Sequence, residues 1–547
     1  MTYTLSSLFI ESNSTIQSYY TANRLYESLN SITTDAIFSE IHKEYAIDTS
    51  SVFGYFDNEK KNPEYNGNLA TLELQAIMLR LSRHHIKRAK IIENVSNFFA
   101  DLILYNYQNG LKKIVFMRAE FIDRPSLMII NRTISILRRN NIEINISFDF
   151  QRNVFINSEI ELINSRAQVF NKLDRIIKIK DYSNIVGREL TIDDFNLRDD
   201  FYNTNVLNAA IIEQNFELAF LILQYNLHSN KDYKIMSDQM TYRNLGVIEV
   251  NLGNFEKAII YFDKAINNSD SVIEYSRNSY IKALCLIKRL KKVEKGLKVI
   301  DQAILKLYNA DIEKDIKYKH EMAWLINGQC LGRTILASRM NQKDKESVLF
   351  EIIGKEMEAY RLISHEKSFH LIYLKFNLLA NIAFLLEILG NYTKAIDFWE
   401  KSFAPILASD DQYREGEKAL TYRLGILYLN LGDLGKSEVL LKRALALAKS
   451  EDNPFHINVI FYAIGYLKIL NNDSYNTTLD LINKGKNLSI HLGDSKMRNQ
   501  FEELNKSLDD NFGSKMLEPP KVKLISYIPY IDLSFVPEID LNKQLTS

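Results

Sequence analysis

Cysteine is nearly missing from this chain: Cys285 and Cys330 are the only two in 547 residues. Neither a disulfide framework nor a cysteine-rich metal centre can organise it, and a reducing, cytoplasmic compartment is expected. Proline, at 8, and glycine, at 19, are scarce, as long helices require. No apolar run approaches the roughly 18 to 20 residues that cross a bilayer. The start, MTYTLSSLFIESNST, lacks the basic and apolar regions of a signal peptide, so no membrane partner is expected. Net charge is missing too. Lysine plus arginine and aspartate plus glutamate both total 68, which leaves no long-range field for nucleic acid, and no direct nucleic-acid binding is expected. The phrases H-E-x-x-H, C-x-x-C and G-x-S-x-G do not occur, so no catalytic residue, metal or cofactor is expected and the chain is not read as an enzyme. His84 and His85 are adjacent on a helical stretch and point about 100° apart, which suits a basic surface better than one shared metal ion.

What is present is enough apolar sequence for a folded protein, 46% against 25% charged, at a length that suits two or three domains or one long repeat array. A pattern of small residues recurs. In YRNLGVIEVNLGNFEKAIIYFDKAI, Tyr242, Leu245 and Gly246 share a helical face and are followed by Ala258, Phe262 and Ala265. Two antiparallel helices approach closely only where side chains are small, and large neighbours fill the remaining holes. The phrase returns with Tyr280, Leu284, Gly296, Ile300 and Ala303, then with Trp324 and Gly328, where the polar insertion NQKDKES is expected to displace the second helix. It returns again with Ile382, Ala383, Ala395 and Trp399, then with Leu424, Gly425, Tyr428, Ser437, Leu441 and Ala444, and last with Phe461, Ile464 and Gly465. A worn first copy surrounds Ala219.

These positions resemble the tetratricopeptide repeat (TPR), at a spacing of about 40 residues rather than roughly 34, so each helix is expected to be about one turn longer. The expected fold is mostly α: a TPR α-solenoid of about six to seven hairpins over residues 200–510, preceded by a smaller α/β domain over 1–190 and followed by an extended tail over 511–547. In such a stack the concave face, built from the first helix of each hairpin, is the expected binding surface. Projection onto that face selects Arg243, Val247, Asn251, Ile281, Lys288, Arg289, Arg333, Asn377, Phe384, Tyr422 and Tyr462. Cations, amides and aromatics together suit an extended peptide or a carboxylate-bearing segment of a protein.

The front segment reads as strand, helix, strand: an apolar run Ile114–Met117, a helix from Arg124 to Arg139, and an alternating strand from Ile142 to Phe150, implying a parallel α/β unit. Asp123, Ser126 and Leu127 form a D-x-x-S-L phrase, with Arg152 beyond the second strand. This resembles the Walker B neighbourhood of STAND-type, AAA-related regulatory ATPases. Where that family carries two acidic residues this chain has Met117 and Arg118, and a cation there would repel magnesium. No G-x-x-x-x-G-K-[ST] precedes residue 114, and Gly328-Gln-Cys-Leu-Gly332-Arg333-Thr334 is one residue short and lies within a repeat helix. The resemblance implies a degenerate ATPase domain, a pseudo-ATPase.

After Pro519-Pro520 the tail carries a duplication, Ile528–Leu533 and Val536–Leu541, of extended preference. It is expected to be covered by this chain or a second subunit, which, with the front domain, makes homo-oligomerisation a possible partner mode. The expected function is a non-catalytic scaffold or regulatory protein that binds a protein or peptide. The alternatives are a ligand-sensing transcription regulator related to the STAND activators and acting through a DNA-binding partner, and an enzyme built on the front α/β unit.

Overall fold

A computed structural model describes residues 6–12, 19–45, 84–155, 215–366, 371–407, 414–450, 454–492 and 494–511, with scattered positions and one short helix between 163 and 212. The tail after residue 511 and its duplication lie outside the described residues, as do the side chains of His84 and His85. The described residues form two compact units: one holds the residues before Pro63 and those from Arg88 to Asn254, and the other runs from Phe255 onward.

The first unit is built on three parallel strands in the order β1 (Ser7–Glu11), β2 (Lys113–Met117) and β3 (Asn145–Asp149). The register pairs Ile10 with Phe116 and Phe116 with Phe148, so the large apolar side chains share one face. The rings of Phe116 and Phe148 stack at 5.1 Å. α1 (Tyr20–Ile32), α2 (His84–Gln108) and α3 (Arg124–Arg139) belong to the same unit, with a bidentate ion pair from Arg132 on α3 to Glu93 on α2 at 2.6 and 2.8 Å. Parallel pairing around a crossover helix is the arrangement the strand, helix, strand reading implies. β3 is shorter than expected: Asn141 adopts φ 56° and the Ile142 amide donates to Leu137, so these residues end α3 rather than begin the strand. Three further helices follow, α4 (Thr204–Ile212), α5 (Phe216–His228) and α6 (Asp238–Leu252). Asn226 secures the α5–α6 connection: its amide donates to Met236 O and Thr241 Oγ1 while its oxygen accepts from Ile235 N.

The second unit is α7 (Phe255–Asn267) and five complete hairpins: α8 (Val272–Leu284) with α9 (Val293–Tyr308), α10 (Ile316–Ala337) with α11 (Gln342–Ser364), α12 (Ile372–Ile388) with α13 (Tyr392–Leu407), α14 (Arg414–Asn430) with α15 (Leu434–Ser450), and α16 (Pro454–Leu470) with α17 (Tyr475–Leu492). α18 (Ser495–Asn511) packs on the last pair. Each helix packs on the next in sequence. Two pairs of successive first helices also pack on one another, α8 on α10 and α14 on α16, whereas no two second helices pack closely. First helices therefore form the inner layer of this unit and second helices the outer one.

Most repeat anchors do the packing the sequence assigned them. Ile300, Ala303, Ala383, Ala395, Trp399, Leu441 and Ala444 are all buried, while Leu284 is half-buried and its neighbour Ala283 takes the buried place. A Cβ on Gly328 would lie 2.9 Å from the Tyr280 ring and one on Gly425 2.9 Å from Leu441, so neighbouring helices approach on glycine. The phrase from Gly328 to Thr334 is helix interior, as read. α12 to α17 run 16 to 18 residues, and α10 and α11 reach 22 and 23. The insertion NQKDKES does not displace the second helix of its hairpin. It becomes the first turns of α11, because Asn341 caps the helix by accepting from Asp344 N at 3.0 Å.

Two glycines test this packing in opposite directions. A Cβ on Gly485 of α17 would stand 2.1 Å from the Phe501 ring of α18, while one on Gly354 of α11 meets nothing within 4 Å. Gly485→Ala is expected to destabilise by about 1–3 kcal/mol through overpacking. Gly354→Ala is expected to stabilise by about 0.5–1 kcal/mol by restricting the unfolded chain. Thermal unfolding of the two variants reads both signs, and an unchanged melt for Gly485→Ala contradicts the α17–α18 contact.

Candidate functional site

In the first unit the D-x-x-S phrase joins the starts of two helices. Asp123 is the N-cap of α3: its Oδ1 accepts from Ser126 N at 2.9 Å and its Oδ2 from the Ser126 hydroxyl at 2.7 Å. The same carboxylate accepts from Tyr19 N at 2.8 Å and Thr21 N at 3.1 Å at the start of α1, and the Ser126 hydroxyl accepts from Ala22 N at 2.8 Å. Helix N-termini attract anions because their first amides lack partners. Here the anion comes from the chain itself. Burial pushes the Asp123 carboxyl above its ordinary value, and the four donors oppose that shift.

Beyond the ends of β2 and β3 lies a cluster of charge. Arg118 takes a left-handed backbone, φ 53°, and its guanidinium lies 4.9 Å from the Phe121 ring, with that of Arg152 at 5.7 Å. Arg152 is ion-paired with Asp194. Glu120, fully buried, accepts from Gln151 N at 3.1 Å, and Arg166 donates to the main-chain oxygens of Glu120 and Ile122. Burial raises the Glu120 carboxyl above its usual range.

The residues projected onto the concave face divide between the units. Arg243, half-buried, and Asn251, exposed with its amide donating to Val247 O at 2.9 Å, lie on α6 in the first unit. Lys288 and Arg289 are half-buried on a π-helical turn, Cys285–Arg289, that prolongs α8. Arg333 on α10 pairs with Glu351 of α11 at 2.7 Å. Phe384 is half-buried on α12, and the Arg423 guanidinium lies 5.9 Å from its ring. Asn377, Tyr422 and Tyr462 differ from expectation: they are 1%, 0% and 0% exposed and stand between helices, not on a surface. The helices of Asn377 and Tyr462 have apolar residues on nearly every side, so the positions opposite the anchors are buried as well; Tyr422 is buried on a more charged helix, α14.

The second unit buries charge that sequence reasoning did not find. Arg423 on α14, 2% exposed, makes a bidentate pair with Glu387 of α12 at 2.9 and 3.0 Å, and Glu387 also accepts from Trp399 Nε1. Glu356 on α11 lies within the core and accepts from the side-chain amides of Asn327 on α10, at 3.2 and 3.3 Å, and Asn381 on α12, at 3.3 Å. Burial, with no cation to counter it, pushes its carboxyl up to about 8. On the first helices the rings of Tyr280, Trp324 and Tyr373 form a row, with centroids 5.4 and 5.8 Å apart.

Several buried polar atoms of the inner layer find no hydrogen bond among the described residues: Ser276 Oγ, Asn377 Oδ1, Asn381 Oδ1, Arg423 Nη1, Asn458 Oδ1 and Tyr462 OH. They belong to α8, α12, α14 and α16, all first helices. Gln500 Oε1 and Asn505 Oδ1 on α18 are alike, whereas among the described residues no second helix of the five hairpins carries such an atom. No group of three or more metal-ligating side chains is found among the described residues, and no described helix is long and apolar enough to cross a membrane.

The sequence matches the tetratricopeptide repeat family at residues 241–270 and 420–451, which fall on α6–α7 and α14–α15. The chain thus carries tetratricopeptide repeats in these two segments, and such repeats suggest a protein-interaction role. No curated protein matches the sequence. Among solved structures, a Signal Transduction ATPase with Numerous Domains (STAND) protein with a tetratricopeptide repeat sensor from Pyrococcus horikoshii is similar, at 10% identity over 86% of this chain and 89% of that one, with a TM-score of 0.41. A circular tandem repeat protein with novel repeat topology and enhanced subunit contact surfaces is similar at 10% identity over 90% and 91%, with a TM-score of 0.19. Similarity of that degree carries no function across.

Proposed function

We propose that this chain is a non-catalytic scaffold or regulatory protein whose second unit binds an extended protein segment or peptide along its first helices. The observation that carries the reading is a set of buried polar atoms without a hydrogen bond among the described residues on the first helices α8, α12, α14 and α16, and on α18 at Gln500 and Asn505, with none on the second helices of the hairpins. Buried polar groups in folded proteins find partners, in the chain, in water or in a ligand. An extended main chain offers alternating donors and acceptors to such a row. α10 and α12 pack chiefly through α11 rather than on each other, so a segment entering there displaces little direct packing. Lys288, Arg289, Arg333 and Phe384 flank the layer and suit carboxylate and apolar side chains of the partner.

The first unit fits a pseudo-ATPase, an organising domain without turnover. The amides at the start of α1 are occupied by Asp123 and Ser126, no glycine precedes Gly54 to form a phosphate loop, and Arg118 occupies the place where the STAND family carries a carboxylate. Retention of the D-x-x-S-L phrase supports a second reading, a sensor related to the STAND regulators and acting through a DNA-binding partner.

The test is affinity capture from cell lysate with the full chain and with Lys288→Glu/Arg289→Glu, the partners being identified by mass spectrometry. The double variant is expected to lose the specific partner, at least tenfold in yield, with an unchanged circular dichroism spectrum. An identical set of partners in equal yield rejects the surface.

A further inference from the structure

On four of the five second helices an outer lysine is paired within its own helix. Lys355 of α11 lies 2.7 Å from Glu358, Lys401 of α13 2.6 Å from Asp397, Lys442 of α15 2.7 Å from Glu438 and Lys484 of α17 2.6 Å from Asp480. α9 departs from this pattern. Lys291, just before the helix, and Lys295 and Lys298 on it are exposed and have no ion pair among the described residues. The two carboxylates within helical reach of Lys298 are engaged elsewhere: Glu294 lies 3.9 Å from Arg339, beyond the end of α10, and Asp301 accepts from Gln329 Nε2 of α10 at 2.7 Å. The arrangement costs stability. The three lysines repel one another at spacings of three and four residues, and they crowd the N-terminal end of a helix, where the macrodipole disfavours cations. Nothing among the described residues offsets that cost. The same outer face continues in apolar side chains: Leu305, 61% exposed, lies two turns beyond Lys298, and Tyr308, 63% exposed, follows it with Lys314 Nζ 5.3 Å from its ring. Ile300, Ala303 and Leu307 take the buried side of the helix.

We propose that the outer face of α9 docks an acidic, amphipathic helix of a partner protein. Its carboxylates meet Lys291, Lys295 and Lys298. Its apolar side chains, about 10 Å further along at roughly 1.5 Å per residue, cover Leu305 and Tyr308. Carboxylates brought to this end of α9 relieve both the repulsion among the lysines and their conflict with the helix dipole. A nucleic-acid strand matches the lysines but leaves Leu305 uncovered, and the chain, with 68 residues of each charge, has no net field to draw one in. The surface belongs to the outer layer, so the inference goes beyond the reading of the first helices and assigns a second, separate partner.

The experiment pans a phage-displayed library of random peptides, about four helical turns long, on the full chain with counter-selection on Lys295→Glu/Lys298→Glu. Binding of the recovered peptides is then measured by fluorescence anisotropy. They are expected to carry an excess of Asp and Glu with apolar residues at helical spacing, to bind the double variant at least tenfold more weakly, and to weaken as salt rises. Leu305→Ser/Tyr308→Ser is expected to weaken them several-fold. Lys436→Glu/Lys442→Glu, the same change of charge on α15, is expected to leave binding within twofold. Lys295→Glu/Lys298→Glu is expected to melt no lower than the parent, because it removes cations that oppose the dipole, so lost binding is not lost folding. The surface is overturned if no peptide discriminates the parent from the double variant, if the recovered peptides lack an acidic excess, if the α15 variant loses binding equally, or if an oligo(dT) strand binds more tightly than every recovered peptide. The two readings fail separately: this one depends on Lys295 and Lys298, and that of the first helices on capture with Lys288→Glu/Arg289→Glu.

Discussion

Asp123→Ala is expected to destabilise the first unit by roughly 3–5 kcal/mol, one of the largest single effects available in this chain. The carboxylate accepts four hydrogen bonds, two from α3 and two from the start of α1, and it is 3% exposed. Truncation leaves the amides of Tyr19, Thr21 and Ser126 without their acceptor, each at about 1–3 kcal/mol before relaxation, and removes the cap of α3, typically about 1 kcal/mol. Asp123→Asn fares little better, because its NH2 group turns a donor toward donors. Ser126→Ala, which loses one acceptor from Ala22 N, is expected to cost about 1–2 kcal/mol. Urea unfolding followed by circular dichroism measures all three. Both tryptophans, Trp324 and Trp399, lie in the second unit, so tryptophan fluorescence is expected to shift less than circular dichroism. An unchanged circular dichroism midpoint for Asp123→Ala contradicts the clamp.

Glu356→Gln is expected to make the protein more stable at pH 8 and to leave it unchanged near pH 4.5. In the folded chain burial raises the carboxyl from 4.5 to about 8. Below pH 4.5 the group is protonated in both states and costs nothing. Between pH 4.5 and 8 the unfolded chain has lost the proton that the folded chain keeps, so stability falls as pH rises, by about 1.4 kcal/mol for each unit. Above pH 8 both states are ionised and the full penalty applies, on the order of 3–5 kcal/mol. The nearby titratable groups are the Cys330 thiol of α10, pushed up by burial and by Glu356, and Arg333, Lys355 and Glu358, which also act on that thiol. Glu120, Glu249, Glu387 and Asp494 are raised by burial too, so the difference between parent and variant isolates Glu356. Glutamine is neutral and of the same shape, and its NH2 can donate to Asn381 Oδ1. Parallel stability curves from pH 4.5 to 8.5 contradict the assignment.

The repeats were legible because close helix packing leaves a mark that side-chain chemistry cannot disguise. Gly328 and Gly425 are small for a steric reason that applies locally, and the spacing between copies gave the helix lengths. The inner surface was less legible. Projection treats a helix as having one buried face and one wet face, yet α12 carries only Lys375 and Glu387 as charges and α16 only Lys468. A helix apolar on all sides is buried on all sides, and that signal would have moved Asn377 and Tyr462 into the interior, though not Tyr422, whose helix α14 carries five charges. Glu356 sits in the charged phrase KEMEAYR and reads as solvated; only the pitch of the array carries it inward. β1 was missed because five residues, SLFIE, are too few for a period, although Leu8 and Ile10 alternate with exposed Phe9 and Glu11. Asp123 was found through a family phrase, but a capping residue followed by proline and serine is also a plain helix start.

The measurement that bears most directly on the inner layer is amide hydrogen exchange of the full chain alone and in complex with the partner retained by affinity capture. New protection is predicted on α8, α10, α12, α14 and α16, with α9, α11, α13, α15 and α17 little changed. Protection confined to the second helices, or to the first unit alone, would contradict binding along the first helices.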